Sequence, residues 1–523
     1  MNARVETFLN QFPKSCVIAF AGLLFFLSSC SVGPNYSKPE APVSPAYKEE
    51  GSDASQGPQW KEAKPSDGEI RGQWWEIYND TQLNALEEQV DISNQNVLAA
   101  EAQFRAARAA VKIARAGAYP TLNASPSITK SRSSSTLVTV PPAPSSTAGT
   151  AGRFNGVQTD YNLQAEISYI PDIWGNIRRT VEQSSTSAQA SFADLENARL
   201  SYHALLAQDY FGLRGLDGQK QLLETTVESY QKFIKLTNDR YQSGIASRAD
   251  VAQAEAQLDT ARAQLIDVGI QRAQFEHAIA ILIGTPPSQF SIPSAPFTGT
   301  PPSIPVGVPS DLLERRPDIA GAERRMAAAN AGIGVAIAAY FPTLTLTATA
   351  GVESFQLTQL LSEPSTFWSL GASVAQNIFD AGKRHAQVEQ ARASYQATVA
   401  NYRQTVLTSF QQVEDNLAAL RLLEEEALVQ NAAVKAAEQS LTVSTAQYKE
   451  GIQSYLQVIV AQTTALSDEL NAVNILTRRM TSSVLLIEAL GGGWDVSKLP
   501  TTHDVSILPS KETEPSKGSK DEK

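Results

Sequence analysis

Between Gly382 and Gly451 no proline interrupts the chain, and apolar residues recur at Val388, Ala391, Tyr395, Val399, Tyr402, Val406, Phe410, Val413, Leu417 and Leu420. Spacings of three and four with two four-four stutters describe a coiled-coil seam that locally unwinds. At ~1.5 Å per residue such a helix is about 100 Å long, against the ~30 Å core of a bilayer, so it bridges a compartment. A matching stretch runs from Gly175 to Gly244, but Phe211-Gly-Leu-Arg-Gly-Leu-Asp-Gly218 puts three glycines near its middle, which predicts a kink or break. Each stretch is followed by an Ala- and Gln-rich helical pattern. Gly244 and Gly451 therefore read as left-handed residues ending one helix and opening the turn of a hairpin. Ser247 and Ser454 are candidate N-caps of the returning helices, with Asp250 in the first turn of one of them.

Elsewhere the period is two. Tyr161, Leu163, Ala165, Ile167 and Tyr169 alternate with Asn162, Gln164, Glu166 and Ser168; Leu344, Leu346, Ala348 and Ala350 alternate with threonines; Trp368, Leu370, Ala372 and Val374 alternate with Ser369, Gly371 and Ser373. These are strands with one apolar and one polar face, and Leu122, Ala124 and Ile128 make a weaker fourth, interrupted by Pro126. Helical stretches, Leu83 to Ala118 and Ile319 to Ala339, precede each pair of strands and stop before a proline. Ser-, Thr-, Pro- and Gly-rich residues 130–156 read as a loop between the first two strands, the proline-rich segment 285–309 as a linker, and the Lys/Glu/Ser-rich residues 500–523 as disordered.

The whole arrangement occurs twice. Arg240-Tyr-Gln-Ser-Gly244-Ile-Ala-Ser247 matches Gln447-Tyr-Lys-Glu-Gly451-Ile-Gln-Ser454 at an offset of 207, and Ala118-Tyr-Pro-Thr-Leu122 resembles Ala339-Tyr-Phe-Pro-Thr-Leu344. The expected organisation is a leader over 1–29, an N-terminal segment over 30–80, a first repeat over 81–284 with strands at about 120–172, a linker over 285–318, a second repeat over 319–491 with strands at about 342–380, and a C-terminal segment over 492–523. Four strands cannot close a membrane barrel, since bacterial barrels need at least ~8 and every edge in lipid must be paired. The chain must oligomerise; periodicity alone leaves two, three or four copies open. Aromatic residues at strand ends (Tyr119, Tyr161, Tyr169, Trp174, Tyr340, Phe341, Trp368, Phe379) suit interfacial girdles.

Composition narrows the partners. Across 523 residues, 43 Lys+Arg against 54 Asp+Glu leave a net charge of −11, which disfavours nucleic acid. Two cysteines and four histidines exclude a multi-cysteine scaffold. His203, His277 and His385 fall at unrelated helical phases, and no nucleophile, base and orienting group occur together, so neither an enzyme nor a metal or cofactor site is expected. Arg4 and Lys14 precede an apolar run from Val17 to Leu27, too short to span and suited to a signal peptide. Leu27-Ser28-Ser29-Cys30 resembles a bacterial lipobox, which implies lipidation of Cys30 and, with Ser31 following, delivery to the outer membrane.

Together with these features, Cys30-Ser-Val-Gly-Pro-Asn-Tyr36, Tyr210-Phe-Gly-Leu-Arg-Gly-Leu-Asp217, Arg240-Tyr-Gln-Ser-Gly244, Leu312-Leu-Glu-Arg-Arg-Pro-Asp-Ile-Ala-Gly-Ala-Glu323, Ala328-Ala-Asn-Ala-Gly-Ile-Gly334 and Phe341-Pro-Thr-Leu344 resemble the TolC-like outer-membrane efflux proteins, in particular their lipidated NodT/OprM branch. The resemblance implies a mainly α protomer with a membrane β-barrel part. Three copies would close a 12-stranded β-barrel continued by a 12-helix periplasmic α-barrel. It implies a passive conduit for small molecules, anchored to outer-membrane lipid, that a periplasmic adaptor and an inner-membrane pump of the resistance-nodulation-division (RND) type open and supply. Leu456 matches an apolar ring at the periplasmic tip, Tyr448 a tyrosine of the closing network, and Asp250 a tip aspartate of the first hairpin. Val460 stands where relatives carry an aspartate ring, with Gln453 and Gln457 nearby, which implies an apolar and amide-lined constriction that binds cations weakly. A polypeptide exporter of a type I secretion system and a coiled-coil envelope tether without a pore are the alternatives; the lipobox and motif text speak against the first, the alternating strands against the second.

Overall fold

The computed structural model describes residues 32–41, 43, 47–49, 72–132, 157–296, 299–304 and 311–507. The leader with Cys30, residues 133–156 of the first inter-strand loop and the tail from 508 lie outside the described residues. In chain order the main elements are α1 (Thr81–Ser93), α2 (Gln95–Ala116), β1 (Thr121–Ser131), β2 (Gln158–Tyr169), α3 (Asn176–Gln242), α4 (Arg248–Leu282), α5 (Pro317–Ala338), β3 (Thr343–Ser354), β4 (Thr366–Ala375), α6 (Lys383–Lys449) and α7 (Tyr455–Ala489). The outgoing helices α3 and α6 each have 67 residues and the returning helices α4 and α7 each have 35. All four boundaries repeat at the offset of 207.

The chain divides into two compact units. The first draws on Met1–Ser37, Ala109–Ser185 and Ala327–Gln396. It holds a single antiparallel sheet in the order β1-β2-β3-β4. Directly paired residues share a face, so the register sorts the side chains. Leu122 pairs with Ile167 and Ile167 with Ala348, Leu163 with Val352, and Ala348 with Leu370, all on one apolar face. Asn123 pairs with Glu166, Glu166 with Thr349 and Thr349 with Ser369 on the polar face. Pro126, which has no N–H for a ladder, sits in the outermost strand β1. In this unit Trp174 donates through Nε1 to the Pro342 carbonyl (2.8 Å) and stacks on Phe341. The buried Arg179 gathers the segment after the lipobox, donating to the carbonyls of Val32 (3.2 Å) and Gly33 (3.3 Å) and to Asn35 Oδ1 (3.1 Å).

The second unit draws on Lys38–Arg108, Thr186–Met326 and Ala397–Lys523. Its core packs Trp74, Trp75 and Tyr78 with Leu83, Leu86, Tyr210, Phe211, Met480, Val484 and Ile487. Asp80 caps α1 by accepting from the Gln82 and Leu83 amides and also accepts from the Tyr210 hydroxyl (2.6 Å). Two motif blocks prove to be fasteners. Asp217, buried on α3, accepts from Arg272 Nε (2.7 Å), Arg214 Nη1 (3.1 Å), the Ser294 hydroxyl and the Ala295 amide, pinning the linker to the hairpin. Arg316 forks onto Asp318 (3.0 and 2.7 Å) and reaches the Ala489 carbonyl (2.7 Å), tying the start of α5 to the end of α7.

Three expectations change. Helix α3 is continuous, with no break at the three glycines. A Cβ on Gly212 would meet Phe275 of α4 at 2.8 Å, and one on Gly215 would overlap the Thr477 hydroxyl of α7. The glycines admit neighbouring helices, and that packing offsets their weak helix propensity. The stretch Leu83 to Ala118 is two helices, because Asn94 leaves the helical region (ψ 117°), accepts from the Asn96 and Val97 amides, and donates to the Leu282 carbonyl (2.8 Å). Finally, the C-terminal segment keeps structure past 500: Thr501 and Asp504 cap a last helical turn over Asp504–Ile507.

Candidate functional site

The two hairpin turns end their helices in the same way. Gly244 (φ 73°) and Gly451 (φ 75°) are left-handed; the Ile245 amide donates to the Arg240 carbonyl (2.8 Å) and the Ile452 amide to the Gln447 carbonyl (2.9 Å). These six-to-one bonds, with a second from each glycine amide to Tyr241 or Tyr448, close the last turn of α3 and of α6. The returning helices start differently. Ser247 and Asp250 form a reciprocal capping box, Asp250 Oδ2 accepting from the Ser247 amide (2.8 Å) and the Ser247 hydroxyl accepting from the Asp250 amide (3.2 Å). The Asp250 carboxylate is thus engaged within its own hairpin. Ser454 occupies the N-cap position of α7 without a side-chain bond, since Gln457 replaces the aspartate and its amide meets only the Ser454 carbonyl (3.3 Å).

Around the second turn Tyr448 is buried, packs against Tyr455 (ring centroids 5.4 Å apart) and joins Ala254, Val458, Phe233 and Leu236 in a small core. Burial raises the Tyr455 hydroxyl above its ordinary range, and Tyr448, Tyr230 and Asp250 add to the shift. Arg240, at the end of α3, lays its guanidinium 4.7 Å from the centre of the Tyr448 ring and donates to the Lys449 carbonyl (3.1 Å). One cation therefore fastens the first hairpin to the turn of the second. Among the described residues the enclosed Tyr448 hydroxyl and Gln453 Oε1 have no hydrogen-bond partner.

Leu456, Gln457 and Val460 form an exposed stripe on one face of α7, opposite the buried Tyr455 and Val458, and Gln453 lies in the turn before the N-cap Ser454. Leu456 and Val460 are half exposed, and the stripe carries no charge. Its continuation along α7, Thr463, Thr464 and Ser467, is neutral too. The structure thus places Leu456, Gln457 and Val460 on α7 with Gln453 in the turn before it, joins Tyr448 to Arg240, and engages Asp250 in capping its own helix. Arg240 and Tyr455 were not singled out from the sequence as site residues. The signal lay in the repeat itself: at the offset of 207, Arg240 stands against Gln447 and Tyr455 against Arg248, so the copies differ where the hairpins are joined.

A model of a family described as outer membrane efflux protein matches residues 86–285 and 308–492, one segment for each repeat. The toluene efflux pump outer membrane protein TtgC and the antibiotic efflux pump outer membrane protein ArpC, both of Pseudomonas putida, are each 30% identical over 481 residues, covering 91% of this chain and 96% of theirs. A solved structure of the outer-membrane channel OprN superposes with a TM-score of 0.77 at 27% identity, over 89% of this chain and 100% of that one.

Proposed function

Because this chain belongs to the outer membrane efflux protein family, and is the outer-membrane channel component of an efflux pump, we propose that three copies assemble into a conduit whose periplasmic end is held shut by the hairpin turns. The observation that carries the assembly is the sheet. Among the described residues its outer strands β1 and β4 have unpaired edges and its apolar face is bare, with Leu122, Ile128, Trp368, Leu370 and Val374 each exposing about two-thirds or more of their surface. In lipid every such edge must be paired, and closure of three four-stranded sheets does this with the polar face inward.

The constriction on this reading is Gln453 and the stripe of Leu456, Gln457 and Val460, three copies facing one another, with Arg240 and Tyr448 as the bolt that keeps each second hairpin inward. A periplasmic adaptor opens it by competing for the turns, and an inner-membrane pump of the RND type supplies the cargo. Small molecules, drugs or other toxic compounds, are the cargo class, in keeping with the toluene and the antibiotic in the names of the Pseudomonas relatives. Cys30 holds the lipid anchor. The chain does no covalent chemistry of its own. Photo-crosslinking in cells from a probe at Ser247 or Ser454, with the captured protein identified by mass spectrometry, tests this. Capture of a membrane-fusion adaptor is expected; capture of other envelope proteins alone overturns it.

A further inference from the structure

Away from the turns, α1 and α3 meet over ionisable groups that the conduit does not use. Glu87 of α1 is fully buried and sets Oε2 2.7 Å from Nδ1 of the buried His203 on α3. Asp91, one turn along α1, sets Oδ2 3.4 Å from Nε2 of the same ring. Trp75 stacks on the imidazole, centroids 4.4 Å apart at 23°. The second oxygen of Glu87, Oε1, is enclosed without a hydrogen-bond partner among the described residues. Beyond the trio, Arg199 of α3 lies 3.6 Å from Asp91 and pairs with Glu196. Glu88 of α1 and Lys498 line a cavity of about 510 Å³ that His203 and Asp91 also border. That cavity gives water a route to the ring.

A neutral imidazole has one N–H and can donate to only one carboxylate, whereas the doubly protonated ring serves both. The charged ring is also what compensates Glu87, which burial would otherwise penalise heavily. We propose that Glu87, His203 and Asp91 form a proton-operated clasp between α1 and α3, closed while His203 carries both ring protons and released when alkaline medium removes one.

The titration order agrees with the geometry. Burial pushes the Glu87 carboxyl up to about 7 against the pull of His203. Burial also opposes charge on His203, but its hydrogen bonds to Asp91 and Glu87 outweigh that and bring it up to about 9. Asp91 is held below the usual carboxylate range, chiefly by its bond to His203. At Glu87 and His203 the folded protein holds protons more tightly than the unfolded chain. The stability they contribute is therefore complete in acid, declines first as Glu87 ionises, and is lost as pH rises through about 9. Asp91 acts in the opposite sense, and only at pH values below its ordinary range.

A protonated imidazole stacked on an indole quenches its fluorescence, so Trp75 reports on His203. The experiment titrates the full-length assembled protein from neutral to alkaline pH and takes wild type minus Trp75→Phe. Emission rising with a midpoint near pH 9 is expected. The rise should be absent in His203→Gln and its midpoint lower by about one unit or more in Glu87→Gln. Thermal midpoints over the same range should fall more steeply in wild type than in Glu87→Gln. A flat difference signal, a rise that persists in His203→Gln, or equal melting slopes overturns the proposal. If His203→Gln does not fold, the midpoint shift in Glu87→Gln decides.

Discussion

Asp217 is buried with two guanidinium groups, a hydroxyl and a backbone amide converging on it. Its replacement by alanine would leave Arg214 and Arg272 without their shared counter-charge. A loss of about 3–5 kcal/mol is expected, seen as a lower temperature for dissociation of the assembled protein. At the tip, Arg240→Ala removes both the stacking on Tyr448 and the bond to the Lys449 carbonyl, together worth about 1–3 kcal/mol. Single-channel recordings in planar bilayers should show the variant's open-to-closed ratio raised by about 5- to 150-fold, the factor that energy corresponds to. Val460→Asp places a carboxylate on a stripe that has none. It should lower the concentration of divalent cation that half-blocks the channel by on the order of tenfold, and wild type should show little block. Equal block in both proteins would remove Val460 from the constriction.

Within elements, the glycines of α3 show where local rules stop. An isolated helix with Gly212, Gly215 and Gly218 three apart would bend, and from sequence a kink is the reasonable expectation. Phe275 and Thr477 straighten it, and they are dozens to hundreds of residues away, outside any periodicity window. Gly215→Leu is therefore expected to destabilise by about 1–3 kcal/mol through overpacking although it improves helix propensity, measurable by thermal melting. Asn94 is the same lesson reversed: nothing in the Leu83–Ala118 pattern marks it as a break until the Leu282 carbonyl arrives beside it. What the pattern did carry was local. The period-two runs at Tyr161–Tyr169 and Trp368–Val374 lie in strands, and Gly244 and Gly451 are left-handed residues after helix ends. The Arg240 contact leaves no mark in the local pattern because its partners, Tyr448 and Lys449, come from the other copy of the repeat.

For the molecule as a whole, the two faces of the sheet make opposite demands. Leu370→Lys puts a charge on the apolar face and should cost about 2–4 kcal/mol near the middle of a bilayer, whereas Thr349→Lys, beside Glu166 on the polar face, should be tolerated. Heat-stable oligomer on a denaturing gel should be lost in the first and kept in the second. The repeat also constrains lengths. Both outgoing helices have 67 residues and both returning helices 35, and Arg240 reaches the second turn only because the two turns end level. One residue inserted into α3 alone would swing Gly244 by about 100° and advance it ~1.5 Å, carrying Arg240 away from Lys449. Insertions and deletions in one half of the gene are therefore viable when the other half answers them, and the two halves must lengthen or shorten together as the lineage diverges.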